Sequence, residues 1–154
     1  MRRFDMMRPA AEEAPMTHTA KLMMKEVVCV PATATASKAA EVMKKANVGS
    51  VFVGDAKKPL GIFTERDVVR RVVAEGLDPV TTPVSSVMTK KLVTVDASEP
   101  LERVFECLGK GEFRHLPITE RGEVVGIVSL TDLCRVLQEM AKDEKFLATF
   151  AGDA

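Results

Sequence analysis

The chain has 154 residues, room for one ordinary domain or two small modules sharing a core. Apolar residues make up 46% and charged residues 29%, which excludes a disordered polar tail, and nowhere do about 18 apolar residues follow one another, which excludes a membrane-spanning helix. Lys plus Arg and Asp plus Glu balance at 22 each, which excludes broad electrostatic capture of nucleic acid or an anionic membrane.

In chain order, residues 1–18 read as a mobile tail with no apolar run of the kind that forms a secretion signal. A first unit, residues 19–78, opens with the β-rich run EVVCV (26–30) and a polar turn. The spacing then predicts a helix over Ala36–Ala46, with Thr35 as its starter. A strand SVFVG (50–54), a turn AKKP (56–59) and a strand LGIF (60–63) follow, the last running into a second helix that begins near Thr64. The stretch LDPVTTPVSS (77–86) is the connector, with Pro79 and Pro83 discouraging helix across it.

A second unit, residues 79–141, repeats the order: strand KLVTV (91–95), helix Leu101–Lys110 with Ser98 as starter, strand HLPIT (115–119), turn ERGE (120–123), strand VGIV (125–128) and a helix from about Ser129. Residues 142–154 form a C-terminal tail in which Phe146, Leu147 and Phe150 can dock on this domain or on another subunit. The fold class is therefore α/β (α+β), two β-α-β-β-α units packed sheet to sheet about a pseudo-twofold axis, because one such unit cannot close a core alone. Shifting the sequence by 65 positions aligns the two copies: Gly61 falls on Gly126, Asp67 on Asp132, Glu41 on Glu106, Val30 on Val95 and, upstream without a gap, Lys25 on Lys90 and Met23 on Met88.

Cys29, Cys107 and Cys134 are odd in number, far apart and set in apolar segments, which reads as small core residues in a reducing, cytoplasmic chain. No Cys/His spacing calls for a metal. With His18 and His115 the only histidines and no nucleophile placed beside a base, the chain reads as non-catalytic.

The strand-to-helix junctions GIFTERD (61–67) and GIVSLTD (126–132) each carry a hydroxyl three residues before an acid. Taken singly, Thr64 with Asp67 and Ser129 with Asp132 are capping boxes that need no ligand. At an interface between copies, however, the same groups can meet phosphate oxygens and the diol of a ribose.

These junctions, with SSVMTKKLVTVDASEPLERV (85–104) and FRHLPIT (113–119), make the chain resemble a tandem pair of CBS (cystathionine β-synthase) domains, a Bateman module, over residues 20 to 140. The resemblance implies two clefts between the copies that bind adenosine-containing ligands. A first site would combine Thr64, Arg66 and Asp67 with Met88, Thr89, Leu92, Val93, Phe113, Arg114 and His115. A weaker or empty second site would combine Ser129, Thr131 and Asp132 with Met24, Val27, Val28, Val48 and Gly49, where no basic residue is expected.

On that resemblance the chain is a regulatory module for AMP, ADP or ATP, with S-adenosylmethionine and NAD(H) as secondary candidates. It requires no cofactor, forms a homodimer through the helices after each junction, and signals to a regulated protein. The alternative is a protein interaction or assembly module whose clefts no longer take ligand.

Overall fold

The computed structural model describes residues 20, 23–110 and 113–142; the tail segments 1–18 and 143–154, with His18, Phe146, Leu147 and Phe150, lie outside the described residues. Helix α1 (Ala36–Ala46) starts where the Thr35 hydroxyl accepts the Lys38 amide at 3.2 Å, and it buries Ala36, Ala39 and Met43 as one stripe at helical spacing. Asn47 stops it in the left-handed region at φ 53°, its amide donating back to the Lys44 and Met43 carbonyls. In the second unit α4 (Leu101–Gly109) buries Leu101, Val104, Cys107 and Leu108. Pro100, not Ser98, precedes it: the Ser98 hydroxyl donates to Asp96 at 2.6 Å and closes the turn ahead of the helix.

Strands β1 (Cys29–Val30), β2 (Ser50–Gly54) and β3 (Pro59–Thr64) form one sheet in that order, and β4 (Val95–Asp96), β5 (His115–Glu120) and β6 (Glu123–Ser129) form its twin. In each sheet the first pairing is parallel and the second antiparallel. Side chains alternate across the first sheet: Val51, Val53 and Phe63 join α1 in the core of the first unit, while Phe52 and Ile62 face the other way. There they meet Val124, Val27, Cys29, Leu92 and Ile127 in a core between the sheets. Two β-α-β-β-α units thus share a buried interface, the α/β arrangement that the repeat predicts.

The run 26–30 contributes just Cys29 and Val30 to its sheet, and 91–95 just Val95, because the chain upstream of β1 and β4 crosses to the opposite unit. Lys25 and Ile127 exchange amide-to-carbonyl bonds of 2.9 and 3.0 Å, and Ile62 and Thr89 exchange bonds of 2.9 and 2.8 Å. Helix α3 (Val84–Val87) begins directly after Pro83, inside the expected connector, and brings Val84, Val87 and Met88 into the core of the first unit. Ala20 and Met23 enter the core of the second.

These crossings correct the repeat register. Met88 approaches Gly61 so closely that a Cβ there would lie 2.7 Å from its sulfur, and Met24 does the same at Gly126, 2.8 Å. Thr89 pairs with Ile62 as Lys25 pairs with Ile127. The equivalent residues are therefore Met24 with Met88 and Lys25 with Thr89, one position away from the ungapped match, and the register returns to 65 by the pairs Val30–Val53 and Val95–Ile118. The adjacent methionines Met23 and Met24 satisfy either alignment, so the slip leaves no trace in the pattern.

After the first junction, α2 (Glu65–Asp67) widens at once into a π-helix, Val68–Val73, where the second unit has the regular α5 (Leu130–Met140). Cys107 is buried and Cys29 partly so, but Cys134, expected in the core, is exposed. The inward stripe of α5 runs through Leu133 and Val136, and Cys134 falls to one side of it.

Candidate functional site

Both junctions are complete capping boxes. The Thr64 hydroxyl accepts the Asp67 amide at 3.2 Å, and Asp67 Oδ2 accepts the amide and hydroxyl of Thr64, each at 3.0 Å. Ser129 and Asp132 repeat this at 3.2, 3.0 and 2.6 Å. The helix-start amides are matched as well: Glu65 donates to the Gly49 carbonyl at 3.0 Å and Leu130 to the Arg114 carbonyl at 2.9 Å. Asp67 and Asp132 are buried, so these bonds fix each carboxylate at a strand end between the units.

The first junction opens on a cleft of about 710 Å³. Thr64, Arg66 and Asp67 line it from the first unit, and Thr89, Phe113, Arg114 and His115 from the second unit's chain. Ile62 and Val69 add apolar wall, and Arg70 and Arg71 add charge. Asp67 Oδ1 lies 3.3 Å from Arg71 Nε, and Arg71 Nη1 also donates to the Val87 carbonyl at 3.0 Å, which holds this guanidinium against α3. Three residues of the expected first set stand elsewhere: Met88 is buried against Gly61, Leu92 packs between the sheets, and Val93 is exposed without lining the cleft. The register of the crossing strand turns these side chains away, and Ile62 and Val69 occupy the wall in their place. Sequence spacing could not assign Val69 to the wall, because its direction depends on the π-helix.

The second junction opens on a smaller cleft of about 420 Å³ lined by Ser129, Thr131 and Asp132 together with Val28, Val48 and Gly49. Met24 instead packs against Gly126, and Val27 belongs to the core between the sheets. The expectation of no basic residue is corrected here. Lys25 Nζ lies 2.5 Å from Asp132 Oδ1, with Arg135 Nη2 at 3.4 Å, and Arg114 and His115 border this cleft as well as the first. The one-residue slip is the reason, since it carries Lys25 to the place that Thr89 holds in the first cleft. Burial pushes the Asp132 carboxyl up, but the Lys25 ammonium and the Ser129 hydroxyl and amide outweigh it and hold the group below the usual carboxylate range.

His115 is the partition between the clefts. A Cβ at Gly49 would lie 2.9 Å from its Nε2, so glycine is the residue that lets the imidazole pack across the unit boundary. Burial lowers its pKa; Glu65 and Asp132 pull it up, and Arg114 and Arg66 push it further down, leaving it below the usual histidine value. At neutral pH the imidazole is uncharged, and the arginines carry the positive charge of the first cleft. Among the described residues no group of three or more His, Cys, Asp and Glu is placed to hold a metal ion, and no helix is long and apolar enough to cross a membrane.

The family profile described as the CBS domain matches residues 20–74 and 84–139. The CBS domain-containing protein YhcV of Bacillus subtilis is 36% identical over 118 residues, 77% of this chain and 84% of that one. By contrast, the chain spans about a fifth of the length of plant relatives such as CBSCBSPB1 of Arabidopsis thaliana, which is 33% identical over 111 residues, 71% of this chain. Among solved structures, an uncharacterized conserved protein from Pyrococcus horikoshii superposes with a TM-score of 0.73 at 31% identity, covering 80% of this chain and 94% of that one. A CBS domain protein from Pyrobaculum aerophilum complexed with AMP superposes with a TM-score of 0.70 at 28% identity, covering 82% and 100%. Two CBS matches in tandem, the paired sheets and the twice-built junction make this chain a member of the CBS domain family, arranged as a Bateman module.

Proposed function

We propose that the chain is a non-catalytic regulatory module that takes an adenine nucleotide, AMP, ADP or ATP, into the first cleft and conveys its occupancy to a partner protein. The observation that carries this reading is the facing of Asp67, from one unit, and Arg114, from the other, across a single cleft that Arg66, Arg70 and Arg71 also line. A buried carboxylate can accept both hydroxyls of a ribose, guanidinium groups suit phosphate, and Ile62 and Val69 offer apolar contact to a purine. The AMP complex of the Pyrobaculum aerophilum relative supports the ligand class.

Ligand that spans both units favours one relative angle between them, which is how binding at the cleft can reach an outer surface. Outside the clefts, Val73 on the π-helix is 66% exposed and Leu137 on α5 is 40% exposed, which supports association of two copies through these helices. A cytoplasmic setting belongs to the same proposal and agrees with three free cysteines. A second reading, an assembly module with silent clefts, is favoured by one observation: both capping boxes are closed by bonds from within the chain itself.

Thermal unfolding separates the two. Binding to the folded state raises stability by mass action, so millimolar AMP or ATP is expected to add about 2–3 kcal/mol if the dissociation constant is near 10 μM, and to raise the unfolding temperature by several degrees. No shift with AMP, ADP, ATP, S-adenosylmethionine or NADH rejects the sensor reading in favour of the assembly module.

A further inference from the structure

We propose that Lys25 is a built-in stopper of the second cleft, its ammonium occupying on Asp132 the position that the hydroxyls of a ribose would take. This rests on the reading of the two junction acids as sugar-binding groups. Both acids have a helix arginine beside them, Arg71 at Asp67 and Arg135 at Asp132. The clefts differ in what the crossing strand delivers: Thr89 reaches the first and Lys25 the second.

The Asp132 side chain is 4% exposed and that of Lys25 is 53% exposed, so the carboxylate is shut off from water while the lysine stem reaches in from the rim. A ribose can enter only by exchanging that ammonium for neutral hydroxyl donors. Ribose hydroxyls would also make charge-assisted bonds to the carboxylate, but they carry no opposite charge, so the exchange gives up the Coulomb attraction between ammonium and carboxylate and is unfavourable. Phosphate offsets this less here than in the first cleft: Glu26 and Glu65 border the second cleft beside Arg114, whereas Arg66, Arg70 and Arg71 join Arg114 and Glu65 in the first. The backbone bonds between Lys25 and Ile127 anchor the lysine at this place in the folded chain.

Replacing Lys25 with threonine copies the first cleft. Titration calorimetry with adenosine, which lacks phosphate, is expected to show one additional adenosine per chain in Lys25→Thr, at least about tenfold tighter than any second-cleft binding in the unaltered protein. Lys25→Met, which keeps the stem and loses the charge, is expected to behave alike, and Asp132→Ala on the Lys25→Thr background is expected to remove the added site. No gain in either lysine variant, or a gain that survives loss of Asp132, overturns the proposal. AMP binding by the unaltered protein reports separately on the first cleft: its absence refutes the sensor reading, while a gained adenosine site still upholds the stopper.

Discussion

Replacing Asp67 with alanine is expected to weaken AMP binding by roughly 10- to 150-fold, whereas Asp132→Ala leaves it within about twofold. The magnitude follows from removing a charged acceptor of two ribose hydrogen bonds, worth about 1.5–3 kcal/mol in a partly buried cleft. Both substitutions delete the same structural element, since each acid closes a capping box with identical connectivity. Each should therefore cost about 1 kcal/mol or somewhat more of stability. The pair thus separates cap from ligand: a stability loss at Asp132, where the Lys25 ion pair is lost as well, at least as large as that at Asp67, with the affinity loss confined to Asp67→Ala, is the signature of a nucleotide held at the first junction. Calorimetric titration beside thermal unfolding of the three proteins measures both, and equal loss of affinity in the two variants contradicts the assignment.

Phe52→Ala is expected to destabilise the whole chain by about 3–5 kcal/mol, a large share of the stability of a domain this size. Phe52 is 1% exposed and lies on the face of β2 turned away from α1, against Ile62, Val124 and the crossing segments that carry Val27 and Leu92. The cavity therefore opens between the units, and neither unit's own core can collapse into it. One cooperative transition at lower temperature is the expected calorimetric result, because both crossing strands lose their backing together. Two separate transitions, with half of the chain unaffected, would show that the units fold independently and that the cleft between them is not a fixed feature.

The repeated junction was legible because capping is local. Thr64 with Asp67, and Ser129 with Asp132, are bonded as residue type and spacing require, and the strands through Phe63 and Val128 run directly into the helices that follow, as expected. What escaped is non-local. Nothing in composition says that Lys25 leaves its own unit to pair with Ile127, and the Met23–Met24 pair conceals the one-residue slip that takes it there. The other crossing, through Thr89 and Ile62, turns Met88 and Leu92 into core residues, and Ile62 with Val69 of the π-helix forms the apolar wall. The π-helix over Val68–Val73 carries no compositional mark, since VVRRVV would serve an ordinary α-helix equally well.

On the sensor reading, one chamber built from both units grips a nucleotide by its sugar and its phosphate. A crystal structure of the protein grown with AMP tests this most directly. AMP is expected in the cleft of about 710 Å³, with ribose hydroxyls on the Asp67 carboxylate and phosphate facing Arg66 and Arg114. AMP bound elsewhere, or this cleft left unoccupied at saturating AMP, contradicts it.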